Sequence, residues 1–188
     1  APSAARWGQG ALVLWIDPRL GPSPMYMAHY HAAAAMKGVD VLAPVGSVLA
    51  PATTLATARD GERLFGATCV MGSLGVSFAA ALVAECSSNR VLYGPAPLSR
   101  THRGPVRISA AAIDRGFAVA EDAEQRITVR AIDPDGRSRG AIALLGIGTY
   151  PALVGPGAEG SGSALRVLFR RNSAIWGAAV GCRTGPSP

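Results

Sequence analysis

At 188 residues, with 49% apolar and 16% charged side chains, the chain can bury a sizeable core and is too nonpolar to be a disordered polymer. Three widely spaced cysteines fit neither a disulfide framework nor a zinc site, and no apolar run reaches the roughly 18 residues of a membrane-spanning helix. The formal charge of +6 comes from the later part: five basic and five acidic residues lie up to Asn89, but thirteen arginines and seven acids from Arg90 onward.

The arginines are dispersed, aromatic residues are few, and no recognised nucleic-acid motif is present. Nucleic acid is therefore not the expected partner; a solvated basic face, or one that meets an acidic protein, is. The opening APSAARWGQG lacks the apolar h-region of a signal peptide, and together with the odd cysteine count this points to a reducing cytoplasm. A single domain over residues 1–188 is expected, with 39–60 as an irregular insertion or connection.

In chain order, Ala11 to Ile16 reads as a buried strand closed by Asp17-Pro18. Ser23-Pro24 is a helix start and Gly38 a stop, so the spacing predicts a helix from Pro24 to Lys37. Met25, His29, Ala32 and Met36 would share one face of it, with Tyr26, Tyr30 and Lys37 on the next. His29 and His31, two residues apart on a helix, would point away from each other and could not hold one metal as an i, i+4 pair does. Val39 to Asp60 carries strand-like pieces at Val39–Leu42 and Thr53–Ala58, as a long connection or an extra hairpin.

Arg63 to Thr68 is compatible with a short strand, and Gly72, Ser73 and Gly75 break the pattern after it. Val76 to Cys86 is apolar all round, with Glu85 its only charge, which predicts a buried helix capped by Ser73 or Ser77. Cys69 would then lie where a strand feeds a helix N-terminus, a position that favours thiolate. The plain alternative is a small cysteine packed in the core.

Arg90 to Tyr93 is strand-like. Pro95, Pro97 and Gly104-Pro105 mark an irregular crossing, with His102 between Arg100 and Arg103. From Gln125 to Gly148 the pattern is clearest: Ile127, Val129 and Ala131 alternate with Thr128 and Arg130, as in a half-buried strand. Asp133-Pro134-Asp135-Gly136 supplies a turn, and Ala141 to Ile147, apolar on both faces, reads as an interior strand. After the glycine-rich stretch Gly155–Gly162, Ser163 can cap a helix with Leu165, Leu168 and Phe169 on one stripe and Arg166, Arg170 and Arg171 on another; a strand over LRVLFRR is the alternative. Ile175 to Gly181 returns as a buried strand and runs into Cys182-Arg183-Thr184.

Several of these segments resemble motifs of the β-ketoacyl synthase branch of the thiolase-like family. Cys69-Val70-Met71-Gly72 and Ala79-Ala80-Ala81 are similar to the family's Cys-x-x-Gly nucleophile turn and small-residue helix. Arg115-Gly116-Phe117 through Ala123 is similar to its Arg-Asp-Gly-Phe segment, and Arg139-Gly140-Ala141 through Gly148 to the strand that follows. The resemblance implies an α/β fold: a truncated thiolase-like half, with a mixed sheet, a buried central helix and covering helices. It places Cys69 at the nucleophile position, Cys182 near the position of a missing histidine, and Gly72, Ser73 and Phe117 at binding positions.

With the family's two histidines absent, it implies a non-catalytic subunit of the chain-length-factor type. Such a subunit pairs with an active ketosynthase as a hetero- or homodimer, serves an acyl carrier protein and shapes the acyl tunnel. No cofactor and no metal are implied. Two other functions stay open: an acyl-transfer or hydrolytic enzyme using Cys69, and a structural or polyanion-binding protein using the arginine-rich C-terminal half.

Overall fold

The fold is that of a computed structural model, which describes residues 2–7, 10–16, 24–31, 34–44, 55–71, 76–87, 90–156 and 164–181. The described elements are all strands. A first antiparallel sheet runs β1 (Ser3–Trp7), β2 (Gly10–Ile16), β3 (Pro24–His31) and β4 (Ala34–Pro44) in sequence order. A second runs β5 (Leu55–Asp60), β6 (Arg63–Met71), β7 (Val76–Glu85) and β8 (Val91–Pro97), with β9 (His102–Arg103) paired to the start of β7. The third is β10 (Arg107–Ile113), β11 (Gly116–Ala123), β12 (Arg126–Ile132) and β13 (Ser138–Ile147). The fourth is β14 (Thr149–Val154), β15 (Leu165–Arg171) and β16 (Ala174–Val180).

Each sheet is an up-and-down meander, and the sheets stack face to face. Leu12 and Leu14 of the first pack on Leu64, Val70, Ala80 and Leu82 of the second. Phe65, Ala79, Ala81 and Val83 of the second pack on Ile108, Phe117, Val119 and Ile132 of the third. Ala118, Ala120, Ile127 and Val129 of the third then pack on Leu165, Val167 and Phe169 of the fourth. The leading strands β1, β5, β10 and β14 pack side by side in that order. Successive meanders whose first strands gather along one axis are the blades of a β-propeller-like fold.

This arrangement overturns the α/β, thiolase-like expectation at its central element. β7 is apolar all round because both of its faces are covered, Ala80, Leu82 and Ala84 by one neighbouring sheet and Ala79, Ala81 and Val83 by the other. A strand buried on both faces carries the same unbroken apolar run as a core helix. The helix expected over Pro24–Lys37 is likewise replaced, by β3 and β4. His29 and His31 therefore belong to β3 and not to a helix. The helix after Ser163 is replaced by β15, with Leu165, Val167 and Phe169 buried and Arg166, Leu168 and Arg170 outward. Of the stretch 39–60, residues 39–44 belong to β4 and 55–60 are β5.

The Gln125–Gly148 expectation matches β12, its turn and β13, with one change. β13 is the outermost strand of its sheet, so Leu144 and Ile147 are exposed rather than interior. Tight turns set the registers. Glu124 and Gln125 take φ of 53° and 61°, the pair of left-handed residues that a two-residue hairpin matching the strand twist needs. Gly116, at φ 140°, leads β11 where a Cβ would strike the Ile132 carbonyl oxygen. Among the described residues no helix is long and apolar enough to cross a membrane.

Candidate functional site

β11 is buried along its whole length, yet it carries two consecutive acids, Glu121 and Asp122. Successive strand side chains point to opposite faces, so one acid serves each neighbouring sheet. Uncompensated buried carboxylates cost several kcal/mol, on the order of what a pairing must recover. Each is met by an arginine.

On the face toward the fourth sheet, Asp122 lies directly across the strand pair from Arg107, whose Nη1 donates to its Oδ2 at 2.9 Å. The same oxygen accepts the backbone N–H of Tyr150 at 3.2 Å. Arg107 Cζ stands 4.1 Å from the centroid of the Tyr150 ring, within cation–π range. The β14–β15 register slips between Thr149 and Ala152, and Tyr150 takes φ 56° there while its side chain stays 56% exposed. A left-handed backbone costs a bulky residue on the order of 1–3 kcal/mol and persists where surroundings impose it. Here the imposing contacts are the Asp122 acceptor and the Arg107 stack. Irregularities of this kind re-aim a side chain, and this one holds an aromatic ring partly open to solvent beside a guanidinium.

On the face toward the second sheet, Glu121 Oε1 lies 3.2 Å from Arg130 Nε, an ion pair without hydrogen-bond alignment, while Arg130 Nη1 donates to the Leu98 carbonyl. Burial pushes the Glu121 carboxyl above the ordinary glutamate range, and Arg130, a Ser99 hydrogen bond and His102 pull it back. His102 Nδ1 is 3.7 Å from Glu124 Oε1, which also accepts the Arg103 backbone N–H at 3.4 Å.

Of the residues singled out by sequence, the two that are described, Cys69 and Phe117, are core residues. Cys69 is inside β6 opposite Ala79, 2% exposed, in the core between the second and third sheets. No helix follows it, so the strand-to-helix junction that would activate its thiol is replaced by a strand-to-strand hairpin, and its setting is that of the core-cysteine alternative. Phe117 is fully buried and stacks on Phe65 with centroids 5.2 Å apart, a core contact. Gly72, Ser73 and Cys182 lie outside the described residues. Sequence reasoning passed over Arg107, Asp122, Tyr150, Glu121 and Arg130. Adjacent acids within an apolar strand were the available signal for two of them; nothing local marked Tyr150.

No protein-family model matches the chain, and no curated protein matches it. Among solved structures it is similar to an α-L-arabinanase of Penicillium chrysogenum in complex with arabinobiose, at a TM-score of 0.54 and 9% identity. The match covers 95% of this chain and 56% of the arabinanase. At that identity the likeness is one of fold. The fold is all-β and propeller-like. With it the ketosynthase-like resemblance falls, and with the resemblance the chain-length-factor role.

Chemically, the described site offers a part-exposed aromatic ring beside a guanidinium. Glycoside hydrolysis through paired carboxylates needs the two groups flanking one bond, about 5–9.5 Å apart. Glu121 and Asp122 look away from each other across a strand, and each is engaged by an arginine.

Proposed function

We propose that the chain is a carbohydrate-binding propeller, with the saccharide seated against Tyr150 and Arg107 where β10 and β14 begin. The observation that carries this is Tyr150 itself, held in a left-handed conformation by a buried carboxylate and a stacked arginine while its ring stays half in solvent. An aromatic face covers the apolar side of a sugar ring, and the guanidinium N–H groups not taken by Asp122 can donate to hydroxyl oxygens. Support for the ligand class comes from the similar fold of an arabinanase that holds arabinobiose.

Calorimetric titration with arabinobiose, and with pentose and hexose disaccharides beside it, tests the proposal. One or more should bind, and Tyr150→Ala should weaken that binding at least tenfold, the loss of roughly 1.4 kcal/mol or more of stacking. Absence of binding to every saccharide, or equal binding by the variant, would overturn it.

A further inference from the structure

The crossing from β8 to β10, residues 98–106, spans two sheets and is fastened to them by different chemistry. To the second sheet it is held by groups that do not titrate: Leu98 N–H donates to the Ala79 carbonyl at 2.7 Å, Ser99 Oγ accepts from Ala79 N–H at 3.0 Å, and β9 pairs with the start of β7. To the third sheet it is held at its end by buried Val106 and along its length by charged groups: Arg130 on the Leu98 carbonyl, Glu121 near Ser99, and Glu124 facing His102 and the Arg103 N–H. We propose that this crossing is an acid-tightened strap, docked more firmly on the third sheet as His102 gains its proton.

The charges facing His102 are Glu124 at 3.7 Å and, farther off, Glu121; Arg100 and Arg103 flank it in the chain. Protonation turns the Glu124 contact from a weak dipolar one into an ion pair. Glu121 is not the source of the tightening, since Ser99 and His102 of the strap both favour its ionised form. The strap leads directly into Arg107, so its docking fixes where β10 begins. None of this depends on what Tyr150 binds.

The test is ligand-free hydrogen exchange of the 98–106 segment in the intact chain, as protection factors corrected for intrinsic rates at pH 7.5 and 5.2. Protection should rise about threefold at the lower pH, the size of a partly exposed ion pair. His102→Gln should abolish the rise, and Glu124→Gln should do the same, so that either variant decides if the other does not fold. Wild-type protection that stays level or falls on acidification would overturn the inference. So would a rise that survives loss of His102 or of Glu124.

Discussion

A single carboxylate oxygen, Asp122 Oδ2, accepts from both Arg107 and the Tyr150 backbone. Asp122→Ala should therefore act twice. It leaves a half-buried guanidinium without its counter-charge, which costs about 3–5 kcal/mol when a buried pair is broken and less here because Arg107 is partly exposed. It also releases the strain at Tyr150. Urea unfolding should show a loss of about 2–3 kcal/mol, and saccharide affinity should fall with it, whereas Arg107→Lys, which keeps the charge without the planar stack, should harm binding more than stability. On the other face of β11, Glu121 gives a pH signature. Its carboxyl is raised by burial, so the folded state holds the proton where the unfolded chain has lost it. The stability that this group contributes is fully present below the unfolded glutamate value and is lost as pH rises through the raised folded one. Glu121→Gln should flatten that decline, measured as unfolding free energy in urea at several pH values. An unchanged slope would show that Glu121 does not cause it.

Among the elements, β15 shows how near the sequence came to the fold. Leu165, Leu168 and Phe169 make an acceptable helical stripe, but only a strand also explains an apolar Val167 between two charged or outward neighbours. The burial alternates without a break from Leu165 to Phe169, which is period two. The turns were partly visible too. Asp133 caps its turn through hydrogen bonds to the N–H groups of Asp135 and Arg137, as the turn residues implied. Gly61, at φ 54°, opens the two-residue Gly61-Glu62 loop of the β5–β6 hairpin, the position where such a turn takes glycine. Glu124-Gln125 carries no such mark, because its left-handed pair is imposed by strand register and not by residue type. β7 could not have been read alone, since its helix-like pattern comes from two sheets distant in sequence. Leu82→Ala on this strand should cost about 2–5 kcal/mol by opening a cavity against the first sheet. The far-UV circular dichroism of wild type and variant alike should remain that of sheet, and a helical spectrum would contradict the fold.

At the scale of the whole molecule, the legible parts were local and the site was not. Hairpins and alternation are written within ten residues of each other, but Arg107, Asp122 and Tyr150 meet only after β10 and β11 pair and the fourth sheet stacks on the third. The same stacking predicts how the chain unfolds. Sheets two and three each bury both faces, and the Phe65–Phe117 stack lies between them. Neither can lose its packing without exposing surface on the neighbour beyond, so the array should melt as one unit. Phe117→Ala removes the largest side chain of that middle interface on the third-sheet side and should cost about 3–5 kcal/mol. Trp15 of β2 and Trp176 of β16 lie in the outer two sheets, and each can report its own end of the stack. With Trp7 replaced by Phe throughout, and either Trp15 or Trp176 kept while the other is also replaced by Phe, fluorescence-monitored denaturation should give one midpoint, and Phe117→Ala should lower both reporters equally. Two separated midpoints would mean that the first and fourth sheets are stable apart from the centre, and the shared-face account of the fold would then be wrong.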